Sequence, residues 1–215
     1  MTILILGATG LTGRETLLRA LEDTRVGKVI APTRRSLPSH PKLVNPVVSE
    51  LDLSLPEVAH WAPDAVICAL GTTIGKAGSK EAFRHVDYAL PVAFAKRAHQ
   101  QGTEIFALIS ASGASLSIPL FYSRTKGEVE RDIGSIGFKS LTIVRPGMIG
   151  GDRDEVRLAE HVVIRLATLL RPLLPRGLRV NPASNIAKAL VESVVTARPG
   201  RHMITSRDLV SDPLR

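Results

Sequence analysis

Cysteine is nearly absent from this chain: Cys68 is the single one in 215 residues, so no intrachain disulfide can form. That composition leads to an expected cytoplasmic, reducing compartment. Aromatic residues make up only 4%, with one Trp and two Tyr, too few to build the stacking platforms on which single-stranded nucleic acids lie. No apolar run reaches the length of a membrane-spanning helix. With a first strand starting at Thr2 or Ile3, no targeting peptide is expected ahead of the fold. His85, Asp87 and Tyr88 fall together on one helix without a second cluster at ligand spacing, so no metal site is expected. Acidic residues are the minority charge: 28 Lys and Arg stand against 20 Asp and Glu, for a formal net charge of +8. The arginines are scattered apart from an enrichment between Arg153 and Arg179. The excess therefore reads as a solvated basic surface, or as attraction for an anionic ligand, rather than as a nucleic-acid track.

What is present is an alternation. Short apolar runs at Thr2–Leu6, Lys28–Pro32, Val44–Val48, Ala65–Leu70, Glu104–Ser110 and Ser140–Val144 read as strands. Between them, helical periodicity runs from about Gly13 to Leu21, with Leu17, Leu18 and Leu21 on one face, from Ser79 to Gln100, and from Tyr122 to Ile133. Pro91 should kink or break the second of these helices. Strands apolar on both faces and alternating with helices point to a parallel sheet covered on both sides. The expected architecture is a doubly wound parallel sheet, the Rossmann fold, spanning residues 1–215 as one domain. From residue 148 onward a helix at Glu155–Leu170 and another near Ala183–Thr196 suggest a small helical cap on the substrate side. The apolar positions Val162, Val163, Leu166, Leu169 and Leu170 are expected to pack on the sheet or line the pocket.

The segment ILGATGLTG follows the first strand and opens the first helix. In that setting Gly7 permits a tight turn, Gly10 clears the approach of a pyrophosphate, and Gly13 lets helix and strand pack closely. The anion then meets free amides at the positive end of the helix dipole. At the end of the second strand, where an NAD site usually carries a carboxylate, stand Thr33, Arg34 and Arg35. Two guanidiniums there suit a 2′-phosphate, so NADP(H) is expected in preference to NAD(H). Asp52, after the third strand, is placed either to accept from an adenine amino group or to serve as a loop aspartate.

Tyr122 and Lys126 lie four apart on one helical face. A lysine ammonium beside a phenol lowers the phenol pKa and makes it a usable acid or base. Cys68, mid-strand among apolar neighbours, reads as buried filler.

The glycine motif, CALGTT after a strand, a serine-bearing strand end and YSRTK together resemble the short-chain dehydrogenase/reductase superfamily. CALGTTIGKAGSKEAFRHVDY, YSRTKGEVE and VRPGMIGGDR resemble more particularly its atypical members related to the Tat-interactive protein, which bind NADPH. The resemblance covers roughly Ile3 to Thr196. It implies a pyrophosphate loop of Gly7, Ala8, Thr9, Gly10, Leu11, Thr12 and Gly13. It implies paired arginines Arg34 and Arg35 at the 2′-phosphate, and Leu70, Gly71 and Thr72 along the dinucleotide. Tyr122 is then the acid/base, Lys126 its partner and a ribose ligand, and Pro146 and Gly147 flank the nicotinamide. The superfamily also places a serine beside the tyrosine to hold the substrate carbonyl. Here a reading without a gap favours Ser110 and alignment to epimerase-like members favours Ser112. Between them stands Ala111, and a missing donor there would cost about a hundredfold in rate by analogy with oxyanion donors.

The function so implied is hydride transfer between NADP(H) and a small-molecule carbonyl or alcohol, in a chain that forms a homodimer. The alternative is an NADP(H)-sensing protein that uses occupancy to change a partner contact and has little turnover.

Overall fold

The structure, a computed structural model, describes residues 1–150 and 179–210. Strands β1 (Thr2–Leu6), β2 (Lys28–Ile30), β3 (Leu43–Val44), β4 (Ala65–Cys68), β5 (Ile105–Ile109) and β6 (Ser140–Arg145) join β9 (Gly200–Thr205) in one sheet of order β3-β2-β1-β4-β5-β6-β9. Every pairing in it is parallel. A second pair, β7 (Ile149–Gly150) and β8 (Asn181–Pro182), is also parallel. The order reverses at β1, whose two neighbours β2 and β4 lead away in opposite directions. At such a switch point connecting loops diverge and leave a crevice beyond the strand ends.

The central strands are buried on both faces, which is why they read as unbroken apolar runs. Along β1, Ile3 and Ile5 face one core layer, and Leu4 and Leu6 face the other. The first layer is closed by helices α1 (Leu11–Glu22) and α7 (Ala183–Thr196), the second by α5 (Leu90–Gln100) and α6 (Phe121–Gly134). Leu18, expected on the buried face of α1, is instead 51% exposed. The stripe runs through Thr16, Leu17, Ala20 and Leu21, one position round the helix. Val44–Val48 yields only the two-residue β3, because Pro46 has no N–H to continue a ladder. Pairing resumes as a single bridge between Thr33 and Val47.

The expected helix from Ser79 to Gln100 is three joined pieces. Residues Lys80–Arg84 form α4 after the four-residue helices α2 (Val58–Trp61) and α3 (Ile74–Ala77), His85–Ala89 form a π turn, and α5 follows. Pro91 falls in the first turn of α5, where its missing N–H costs nothing. The widened turn before it carries the Leu90 amide back to the His85 carbonyl. Of the expected cap, the helix at 155–170 and its apolar stripe lie outside the described residues. The helix at Ala183–Thr196 packs on α1 and the sheet, and β9 extends the sheet edge. Among the described residues no helix is long and apolar enough to cross a membrane.

Cys68 ends β4 fully buried, and burial pushes its thiol from 9.0 up to about 12. A raised acid favours the protonated folded state, so this contribution is complete below pH 9 and disappears between 9 and 12. The native protein is expected to resist a thiol reagent at pH 8 and react fully once unfolded in urea. Rapid native labelling would show that β4 opens locally.

Candidate functional site

Between β1 and α1 the chain turns through Gly7, whose φ of +84° favours glycine. A Cβ on Gly7 would lie 2.8 Å from the Ala69 carbonyl oxygen, and one on Gly13 only 1.9 Å from that of Gly7. Both glycines are therefore demanded by the protein's own backbone. Gly10 is different: its nearest obstacle is the Gly7 carbonyl oxygen at 3.4 Å. It caps α1 without any side-chain hydrogen bond, and the first turn holds no acidic residue. Thr9, Gly10, Leu11 and Thr12 line a cleft, while Ala8 and Gly13 are buried beneath it. The result is a helix N-terminus whose amides and dipole can receive an anion.

The cleft has a volume of about 920 Å³ and lies at the carboxyl ends of the central strands. Arg34 and Arg35 also line it, both exposed and without an ion-pair partner among the described residues. Their loop is fixed from below. The Asn45 Nδ2 donates to the Ala31 carbonyl and the Thr33 hydroxyl oxygen, and Thr33 donates to the Arg35 carbonyl at 2.6 Å. Arg14 and Lys76, which the sequence reading did not single out, add two more cations to the lining. The first follows the glycine turn directly, so its position on the exposed side of α1 was readable from helical period.

Leu70, Gly71 and Thr72 continue the wall beyond β4. The Thr72 amide donates to Asp87 Oδ2 at 2.8 Å, and Asp87 Oδ1 lies 2.7 Å from Lys126 Nζ. That second contact is an ion pair without an aligned hydrogen bond, which leaves Oδ1 formally unsatisfied although the charges meet. The side chains are 5% exposed for Lys126 and 0% for Asp87, so the pair is sealed from water. Asp87 owes its inward direction to the π turn, a distortion often found at functional sites. Weighed in the sequence only as a metal ligand with His85 and Tyr88, it had no partner within reach along the chain, because Lys126 lies 39 residues away.

Tyr122 opens α6 at the cleft, its ring 5.6 Å from that of Phe83. Burial pushes its phenol above the usual 10, the Lys126 ammonium opposes this, and the Asp87 carboxylate reinforces it. The net direction is upward, which corrects the expectation of a lowered phenol. Asp87 offsets the lysine charge, and burial then dominates. With 39% of the residue exposed, solvent tempers the shift.

Of the two candidate serines, Ser110 lines the cleft; Ser112 is exposed elsewhere, its amide bonded to the Pro146 carbonyl at 2.9 Å. The Ser110 hydroxyl donates to Glu130 Oε1. Glu130, 2% exposed, also accepts from Arg145 Nε at 2.8 Å and from an Arg145 terminal nitrogen. Glu130 sits four residues beyond Lys126, on the stripe that already holds Tyr122, so its facing was legible although its partners were not. Gly147 lines the cleft, but its amide donates to Asn181 Oδ1 at 2.7 Å. Pro146 is buried, and Asp52 is drawn away to His85, 3.1 Å from its ring. Neither belongs to the cleft lining.

The sheet order, the switch-point cleft and the glycine turn define a Rossmann-type α/β protein. The same fold occurs in the Bordetella bronchiseptica enzyme WbmH in complex with NAD+, with a TM-score of 0.71 and 15% identity over 95% of this chain and 75% of that one. No protein-family model matches the chain. Relatives do: "Protein FMP52, mitochondrial" of Eremothecium gossypii is 38% identical over 154 residues, 72% of this chain and 69% of its own. The Aspergillus niger protein of that name is 33% identical over 210 residues, 92% of this chain and 88% of its own. The chain belongs to the FMP52 family. Both relatives are named mitochondrial, which overturns the cytoplasmic compartment expected above. A lone thiol excludes a disulfide, but it does not distinguish one reducing compartment from another.

Proposed function

We propose that this chain is an NADP(H)-dependent oxidoreductase of the atypical short-chain dehydrogenase type, acting on a carbonyl compound or its alcohol. The observation that carries this reading is the convergence of the glycine turn, Arg34, Arg35, Tyr122 and Lys126 on one cleft at the switch point. The open α1 terminus and the space at Gly10 suit a pyrophosphate held by Gly7 through Gly13, and the two arginines suit a 2′-phosphate. Leu70, Gly71 and Thr72 form the adjoining wall and Gly147 the nicotinamide end, with Pro146 buried next to it in the chain. The shared fold with an NAD+ complex supports a dinucleotide of this class. Kinship with the Tat-interactive-protein-like dehydrogenases, a homodimer, and a substrate-side cap within 148–215 belong to the same proposal.

Bound NADPH supplies the hydride that a carbonyl carbon receives. The protein's part is to hold and place protons. Tyr122, kept protonated by its surroundings, has a proton for the carbonyl oxygen. Lys126, anchored by Asp87, puts a fixed positive charge beside it. A second reading, a protein that senses NADP(H), is favoured by one observation: the groups of the site are engaged with the protein's own carboxylates, Lys126 with Asp87 and Ser110 with Glu130.

Fluorescence titration with NADPH and NADH separates these readings. Arg34→Ala/Arg35→Ala is expected to weaken NADPH binding by about 10- to 100-fold while sparing NADH, the value of a lost charge-assisted contact. Tyr122→Phe should keep NADPH binding and lose about 10²- to 10⁴-fold in NADPH oxidation against an aldehyde and ketone panel. Tight NADPH binding with no turnover favours the sensor. Equal affinity for both nucleotides, untouched by the arginine changes, ends the NADP assignment.

A further inference from the structure

The hydroxyl of Ser110 has one proton, and the structure shows where it goes. Ser110 is 4% exposed and forms part of the cleft wall. Its neighbour on the inner side is the Glu130 carboxylate, held by the Arg145 guanidinium through two hydrogen bonds, one to each oxygen. A carboxylate paired with a guanidinium has only lone pairs to offer a hydroxyl, so Ser110 must be the donor in their contact. The backbone leaves no freedom to reverse this. The Ser110 amide is tied to the Val144 carbonyl at 2.8 Å, and Glu130 is fixed on α6. Both carboxylate oxygens are occupied by Arg145, so swinging the hydroxyl proton toward the cleft would leave oxygen facing oxygen in a buried place, at a cost comparable to a lost charge-assisted bond.

We propose that Glu130 and Arg145 are positioning residues that fix Ser110 as a hydrogen-bond acceptor, so that the ligand group seated against Ser110 is a donor, a hydroxyl or an N–H. A carbonyl oxygen in this cleft then finds its donor in Tyr122 and is turned away from Ser110. The substrate class that follows is a hydroxylated or amino-bearing compound in which a donor group lies beside the position that exchanges hydride. This deepens the oxidoreductase reading and rests on it for the word substrate. The orientation of the Ser110 proton does not depend on it.

Two measurements test the proposal. Neutron diffraction of the exchanged protein is expected to place the Ser110 deuteron between its Oγ and Glu130. A deuteron pointing into the cleft overturns the proposal, whatever the protein catalyses. The second measurement uses cyclohexanol on the NADPH-loaded protein and cyclohexanone on the NADP+-loaded protein, neither of which can react. Calorimetry should find cyclohexanol bound roughly fivefold to tenfold more tightly, the value of one neutral hydrogen bond. Ser110→Ala should erase the preference. Glu130→Gln, which gives the hydroxyl an amide donor to accept from and so releases its proton, should shift the preference toward the ketone. A ketone preference in the native protein, selectively lost in Ser110→Ala, sinks the idea. Failure of NADPH to bind, with the Ser110 deuteron directed at Glu130, would remove the oxidoreductase reading and leave the proton's direction standing.

Discussion

Replacing Lys126 by methionine is expected to destabilise the fold by about 3–5 kcal/mol, the cost of removing one partner from a buried ion pair. The reason lies in Asp87. Its carboxylate is fully enclosed, bound on one oxygen by the Thr72 amide and facing the Lys126 ammonium on the other. Methionine fills most of the lysine stem's volume, so packing changes little and the loss is electrostatic. Asp87→Asn in the same background removes the stranded charge and keeps an acceptor for Thr72, so the double variant should recover most of the stability. The coupling in that cycle isolates the pair. The solvent-exposed pair of Arg25 with Glu192, at 50% and 55% side-chain exposure, is the internal control and should contribute little. Urea midpoints with unchanged slopes would measure all of these. A Lys126→Met cost below about 1 kcal/mol would mean that water reaches the pair and that it anchors nothing.

The second large effect separates two glycines three residues apart. Gly13→Ala drives a methyl group to within 1.9 Å of the Gly7 carbonyl oxygen, a backbone atom that cannot swing aside. Helix α1 must retreat from the turn, at a cost of about 1–3 kcal/mol or more, and NADPH binding should disappear with the geometry. Gly10→Ala meets the same oxygen at 3.4 Å and should change stability by less than about 1 kcal/mol, a capping effect. Its methyl group nevertheless points where the proposed pyrophosphate must approach, so NADPH affinity should fall at least about tenfold, the loss of one close contact. If Gly10→Ala binds NADPH like the native chain, the turn is only a turn and the dinucleotide reading loses its main support.

These variants mark the boundary between what is local and what is not. The strands, the glycine turn and the Tyr122–Lys126 spacing were legible because each is written within one turn of helix or one short run of residues. Burial on both faces makes a strand apolar at every position, and α-helical period alone brings Tyr122, Lys126 and Glu130 to one stripe. Even so, β9 escaped notice. An edge strand half open to water, GRHMIT, carries no apolar run to announce it.

The sequence by itself determined that a parallel sheet would present a glycine-lined helix terminus, two arginines and a tyrosine with its lysine at adjacent strand ends. Only the tertiary structure decided the electrical state of those groups. Asp87 reaches Lys126 because a π turn rotates it inward, and Glu130 accepts the Ser110 hydrogen bond because β5 and β6 run side by side beneath α6. Charges interact through space and according to their burial, so partners distant in the chain reversed the direction expected for Tyr122 and set the polarity of Ser110.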